Sequence, residues 1–273
     1  IEDELDSQFM IAPSIIAGDM SNLGKEVERC RVGRSDYIHL DVMDGQFVPN
    51  TTFDHTKIKE LRPLTLIPFD AHLMINEPVK HVRNYIDAGS DIITVHAEVC
   101  DESSFGEICD MLRSNQVGIG LAINPDTELP QWCYKFVELL DQIIIMSVVP
   151  GKSGQKFIES THEKIQRIAK DLKEHKFGGY IEVDGGVNLE NIGACFEDGA
   201  RAFVGGSAII GQNDVRMIIK EFRNKVLESR RRLLIKKAHD LGGMEFVNKW
   251  IDLHVVGEKK DNLVQIAKEF GLS

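Results

Sequence analysis

The sequence predicts a (β/α)₈ barrel of the α/β class followed by a C-terminal helical extension. Three observations lead there. Short β-branched or mixed apolar runs alternate with longer stretches whose apolar residues recur at helical spacing. The runs are close to continuously hydrophobic, as strands of a parallel sheet covered on both faces must be. There are eight of them, which suits a closed barrel better than an open doubly wound sheet of five or six strands.

The candidate strands, in order, are Met10–Ile16, Tyr37–Val42, Leu66–Met74, Ile92–His96, Gly118–Ile123, Gln142–Val148, Tyr180–Val183 and Ala202–Val204. Between them, series such as Leu23–Val27–Cys30 and Ile158–His162–Ile165–Ile168–Leu172 give one-faced apolar helices. Asp87-Ala88-Gly89, Gly178-Gly179 and Asp198-Gly199-Ala200 punctuate the joints before strands. Residues 1–8 are acidic, lack the basic-then-apolar order of a secretion signal and read as a loose tail. Residues 9–223 hold the barrel. Residues 224–273 keep helical periodicity, and breaks at Gly242-Gly243 and Gly257 predict two or three added helices. Within them, Arg230-Arg231-Arg232 with Lys236-Lys237 reads as a solvated helix face.

Composition narrows the function classes. No run approaches the roughly 18 apolar residues a membrane span needs. A net charge of −11 argues against a nucleic-acid partner, which requires clustered Lys and Arg. It does not exclude an anionic substrate, because a few backbone N–H groups can hold a phosphate whatever the global charge. The five cysteines are odd in number and form no CxxC pair, which suits reduced packing thiols in a cytoplasm.

In a barrel the chemistry sits at the C-terminal ends of the strands. The second strand ends His39-Leu40-Asp41-Val42-Met43, and alternation puts His39, Asp41 and Met43 on one face. Alone, His-x-Asp also describes a satisfied core pair. The third strand, however, ends His72-Leu73-Met74 and delivers a second imidazole and methionine to the same rim. Asp184 closes the seventh strand, across the barrel mouth, ahead of Gly185-Gly186. His39, Asp41, His72 and Asp184 make a set of two imidazoles and two carboxylates for one divalent ion, zinc foremost, with iron(II), manganese or cobalt as alternatives. The turns after strands 6 and 8, Pro150-Gly151-Lys152-Ser153-Gly154-Gln155 and Gly205-Gly206-Ser207, are glycine-rich and can cradle a phosphate. Met43, Met74 and Met146 serve either as core filler or as apolar walls that keep water from a reaction centre.

These motifs resemble those of the ribulose-phosphate 3-epimerases. Ala12-Pro13-Ser14, His39-x-Asp-x-Met-Asp-Gly, Phe47-Val48-Pro49-Asn50, His72-Leu73-Met74, Pro150-Gly-x-x-Gly-Gln155, Val183-Asp-Gly-Gly186 and Gly206-Ser-Ala208 occur in that family's order, over roughly Ile11 to Gly211. The resemblance implies that Asp41 and Asp184, besides binding metal, act as paired acid and base. It implies that Ser14, His39 and His72 touch the sugar, that Gly151–Gly154, Gly185–Gly186 and Gly206–Ser207 hold its phosphate, and that the three methionines line the centre. It further implies a phosphorylated ketose substrate of pentose phosphate metabolism and a homo-oligomeric enzyme. One stretch departs. The family commonly reads Asn-Pro-Gly-Phe-Gly-Gly-Gln where this chain has Val149-Pro150-Gly151-Lys152-Ser153-Gly154-Gln155. Lys152 either contacts the phosphate or points to solvent. The altered loop leaves allulose 6-phosphate as an alternative substrate, and a phosphosugar-binding protein without catalysis as an alternative class.

Overall fold

A computed structural model of the chain describes residues 8–254. Among them, eight strands form one parallel sheet: β1 Met10–Pro13, β2 Ile38–Met43, β3 Phe69–Met74, β4 Ile92–His96, β5 Gly118–Ile123, β6 Gln142–Met146, β7 Tyr180–Asp184 and β8 Ala202–Gly205. Pairing runs in sequence from β2 to β8, and β8 then pairs with β1. The last seam, between β1 and β2, is joined by a bridge between Ser14 and His39 rather than by a ladder. The TIM-barrel architecture expected from the alternation is therefore present.

The outer ring comprises α1 Leu23–Gly33, α2 His55–Leu61, α3 Val82–Asp87, α4 Glu102–Ser114, α5 Thr161–Glu174, α6 Ile192–Asp198 and α7 Val215–His254. Between β5 and β6 a 3₁₀ segment, Gln131–Lys135, follows Pro130. Local chemistry sets the helix ends. Asn22 caps α1 by accepting from the Lys25 amide, and α1 stops at Arg34, whose backbone is left-handed at φ 57°. Asp101 and Ser104 form a reciprocal capping box on α4. The apolar stripe of α5, Ile165, Ile168 and Leu172, is buried against the sheet.

Alternation along the strands separates two interiors. Outward-facing Leu40, Ile143, Ile145, Val183 and Phe203 belong to the large apolar core beneath the helices. Inside the barrel, a layer of polar groups lies beneath the C-terminal ends of the strands. Gln142 donates from Nε2 to Asp70 Oδ1 at 2.7 Å and to Thr94 Oγ1 at 2.7 Å, and Tyr180 donates to Gln142 Oε1 at 2.8 Å. The layer is tight: a Cβ on Gly120 would fall 1.9 Å from Thr94 Oγ1.

The extension differs from expectation in one respect. The backbone runs through Gly242-Gly243 without a break, and α7 is a single helix of 40 residues. A helical glycine costs about 1 kcal/mol relative to alanine, too little for the pair to stop a long helix on its own. Gly257, the rest of the extension and residues 1–7 of the tail lie outside the described residues. Among the described residues no helix is long and apolar enough to cross a membrane.

The outer core holds the largest cluster of buried apolar residues. Phe203→Ala, at a side chain with no exposure, should cost about 3–5 kcal/mol in urea unfolding. Leu66→Ser, at a fully exposed position, should change it by less than about 0.5 kcal/mol.

Candidate metal centre

Register places the candidate ligands. Parallel pairing aligns Asp41 with His72 and His39 with Asp70, and the Ser14–His39 bridge brings β1 alongside. His39, Asp41, His72 and Asp184 converge, with one potential ligand atom from each lying within 4.8 Å of the others. His39 Nε2 is 3.3 Å from Asp41 Oδ1 and 3.7 Å from Asp184 Oδ2. His72 Nδ1 is 3.2 Å from Asp41 Oδ1 and 3.4 Å from Asp184 Oδ2. Ser14 donates its hydroxyl proton to the other oxygen of Asp41.

The electrostatics of this cluster favour a cation. Burial works against charge on both imidazoles, yet the carboxylates of Asp41 and Asp70 hold His39 well above its ordinary value. Burial likewise opposes the charged form of His72, but hydrogen bonding to Asp184 and Asp41 lifts it to about 9. Burial also opposes ionisation of Asp41 and Asp184, and the neighbouring imidazoles overcome it and hold both below the carboxylate range. The His39 Nε2 atom is buried without a hydrogen-bond partner and faces the two carboxylates. An orphaned ring nitrogen beside two carboxylates and a second imidazole fits a borderline divalent ion, so the residues present suit the metal that the sequence pattern implies.

A shell that sequence reading missed lies beneath the ligands. His39 Nδ1 is 2.7 Å from Asp70 Oδ2, which holds a proton on Nδ1, so in the neutral ring the lone pair lies on Nε2. Glu182 Oε1 is 3.3 Å from the same Nδ1, but Asp70 has the closer contact, and neither Glu182 oxygen has a hydrogen-bond partner. Burial, reinforced by the Asp70 charge, pushes the Glu182 carboxyl up to about 8, which favours its neutral form. The available signal was the strand period itself. Asp70 stands two residues before His72, and Glu182 two before Asp184, on the same inward faces.

Above these four residues opens a cleft. Ser14, Asp41, Met43, Met74, Met146, Gly151, Lys152, Ser153, Gly154, Asp184, Gly185, Gly186, Gly206 and Ser207 all line it. His39 and His72 do not: both are fully buried behind the carboxylates, at the cleft floor. Two loops shape the mouth. The one after β2 folds back on itself, with Gly45 donating to Asn50 O at 3.1 Å, and Asn50 Nδ2 then donates to Gly151 O at 2.6 Å across the cleft. Gln155 braces the loop after β6 by donating to Val149 O at 2.6 Å and Lys152 O at 2.9 Å. Gly185 and Gly186 have φ of 119° and 65°, and a Cβ on them would meet Val148 Cγ2 at 2.4 Å and Phe157 N at 2.5 Å. Only glycine lets the two loops close together there.

Comparison with known proteins agrees with this arrangement. The model of the ribulose-phosphate 3 epimerase family matches residues 10–210. The chain belongs to the ribulose-phosphate 3-epimerase family. It is 40% identical over 214 residues to the ribulose-phosphate 3-epimerase of Bacillus subtilis, covering 78% of this chain and 97% of that one. It is 37% identical over 220 residues to that of Escherichia coli K12, covering 80% and 96%, respectively. The chloroplastic ribulose-5-phosphate-3-epimerase of Arabidopsis thaliana is 40% identical over 214 residues, covering 78% of this chain and 76% of its own. Among solved structures, 3-keto-L-gulonate-6-phosphate decarboxylase from Vibrio cholerae superposes with a TM-score of 0.61 at 14% identity, covering 81% of this chain and 98% of that one. At that identity the likeness is one of fold.

If Asp70 fixes the metal-facing nitrogen of His39, Asp70→Leu, which removes the acceptor, should lower divalent-metal affinity by about 10- to 100-fold, measured by competition with a chelating indicator.

Proposed function

We propose that the chain interconverts D-ribulose 5-phosphate and D-xylulose 5-phosphate, with Asp41 and Asp184 as alternating base and acid. The observation that carries this reading is the pair of buried carboxylates from β2 and β7 at the floor of one cleft whose walls are methionines and glycine-rich loops. Family membership supplies the substrate class, through relatives named for ribulose phosphate.

The two sugars differ at C3, next to the C2 ketone. One carboxylate takes the C3 proton, and the electron pair moves into the carbonyl, giving a 2,3-enediolate. The other carboxyl group returns a proton to the opposite face, and the ketone re-forms, with no net redox change. His39, Asp41, His72 and Asp184 would hold a divalent ion, zinc first among the candidates, which when bound supplies Lewis-acid stabilisation of negative charge on the sugar oxygens. The protein's own groups supply the rest. The Ser14 hydroxyl favours the ionised form of Asp41, whereas Asp184 feels the repulsion of the Asp41 charge. Their proton affinities therefore differ, as a base and an acid working in alternation require. Met43, Met74 and Met146, all nearly inaccessible, keep bulk water from the exchanging proton. Gly151–Gly154, Gly185–Gly186 and Gly206–Ser207 face the cleft from the β6, β7 and β8 ends and would cradle the phosphate.

The decisive assay follows ribulose 5-phosphate conversion before chelation, after it, and after metal readdition. Activity should vanish and return. Inactivity of metal-loaded protein on the pentulose, with turnover of allulose 6-phosphate, would move the substrate to the longer sugar and implicate the Val149–Ser153 loop. Asp41→Asn and Asp184→Asn should each lower kcat by about 10²- to 10⁴-fold with circular dichroism unchanged. Substantial activity in either would end the two-acid mechanism. Lys152 is exposed at the cleft lip, where a cation near a phosphate contributes up to about 1 kcal/mol. Lys152→Ala should accordingly raise KM up to about fivefold and leave kcat nearly unchanged.

A further inference from the structure

His72 presents Nδ1 to Asp41 and Asp184, so its Nε2 points the other way, where it lies 2.8 Å from Nε2 of His96. His96 ends β4, has no exposure, and stacks on His72 with ring centroids 5.0 Å apart and planes at 20°. Its Nδ1 lies 3.0 Å from Glu98 Oε2, and the second Glu98 oxygen accepts from the Asn124 amide at 2.7 Å. Nothing in the proton-transfer scheme uses this row of groups.

Proton counting gives it a role. Two ring nitrogens in hydrogen-bond contact need one proton between them. A neutral imidazole carries one N–H. For His72 to offer the Nδ1 lone pair to a cation, its proton must sit on Nε2. The Nε2 of His96 must then accept, its own proton must sit on Nδ1, and the group beyond must be an acceptor. Glu98, a carboxylate pinned by the Asn124 amide, is that acceptor. We propose that His96 and Glu98 are positioning residues that lock His72 in the tautomer that ligates metal through Nδ1. Asp70 holds His39 in the opposite sense, with Nδ1 protonated and Nε2 facing the cluster. The site thus uses one ε and one δ nitrogen, each fixed by an acceptor on its far side.

The inference rests on the metal reading given under Proposed function, and the test separates the two. Zn²⁺ affinity is measured by competition with a chelating indicator for the wild-type chain, His96→Phe and His96→Gln, with Co²⁺ absorption as a spectroscopic signature. His96→Phe leaves the His72 Nε2–H without an acceptor and should lose about 10- to 100-fold in affinity and alter the Co²⁺ spectrum. His96→Gln keeps a carbonyl acceptor and should recover most of both. A folded His96→Phe that binds Zn²⁺ as tightly as wild type would overturn the relay while leaving the metal reading in place. A wild-type chain that takes up no Zn²⁺ would overturn both. Should His96→Phe fail to fold, ¹⁵N NMR of the Zn²⁺-loaded wild type decides. A protonated Nε2 and a metal-bound Nδ1 on His72 support the proposal, and metal on Nε2 refutes it.

Discussion

Two carboxylates buried inside a barrel are the constraint from which most of this site follows. Asp41 and Asp184 are 5% and 9% exposed, and an uncompensated charge there would cost several kcal/mol. The nearest compensation is a pair of imidazoles and the Ser14 hydroxyl. Each imidazole then has a second nitrogen that must also be satisfied in the dry interior. Asp70 does this for His39, and His96 with Glu98 for His72. Asp70 in turn takes a hydrogen bond from Gln142, and Gln142 takes one from Tyr180. Polar groups therefore run down the barrel where apolar branched side chains usually fill such interiors. Glu182 solves the same problem differently, its neutral form favoured because no partner repays its ionisation.

The same constraint shapes reactivity. A field that favours cations can hold a divalent ion, and it offsets the cost of carboxylate charge at a depth where water would otherwise have to solvate it. The apolar rim of Met43, Val48 and Met74 lies directly above, so the change from strong field to dry wall takes place within one strand repeat. The loops after β2 and β6 meet over this rim through Asn50 and Gly151, and the Ser147 hydroxyl donates to Asp184 O at 3.0 Å, tying β6 to the end of β7. Side-chain placement at the floor and loop closure at the mouth are parts of one packed unit.

How much of this was legible depended on whether a residue's signal is local. All eight strands stand out as hydrophobic runs, and His39, Asp41, His72 and Asp184 stand out because strand alternation puts them at strand ends on inward faces. Asp70, Glu182 and His96 sit on those same faces, but one polar residue within a buried strand looks like any satisfied core group until its neighbour across the barrel is known. Gln142 is the clearest case: its partners Asp70 and Thr94 are 72 and 48 residues away. The same reason hid the burial of His39 and His72 behind the carboxylates, because period 2 gives a face but not a depth. The predicted break in the extension failed for the opposite reason. Gly242-Gly243 is a strong local signal, but a local cost of about 1 kcal/mol per glycine does not end a helix whose first turns are anchored elsewhere.

That anchoring bears on the barrel itself. The β1–β2 seam has a bridge in place of a ladder, and it is the seam that brings Ser14 to Asp41 and His39. Side chains add to that bridge and to the Asp36 amide, which donates to Ile11 O at 3.1 Å. Asp36, just before β2, accepts from the Ile11 amide of β1 at 2.7 Å and from Arg223 of α7 at 2.8 Å, while Arg223 also donates to Arg34 O at 2.9 Å. Ile219 and Phe222 of the same helix are buried in the outer core. The start of α7 thus clamps the weakest join of the sheet from outside, at the end of the strands away from the cleft. The Ser14 end of β1 is held by its bridge to His39 and by the Ser14 amide donating to Gly205 O at 3.1 Å, which fixes the hydroxyl against Asp41. The one backbone bridge of this seam falls at Ser14, the place where the site needs a hydroxyl.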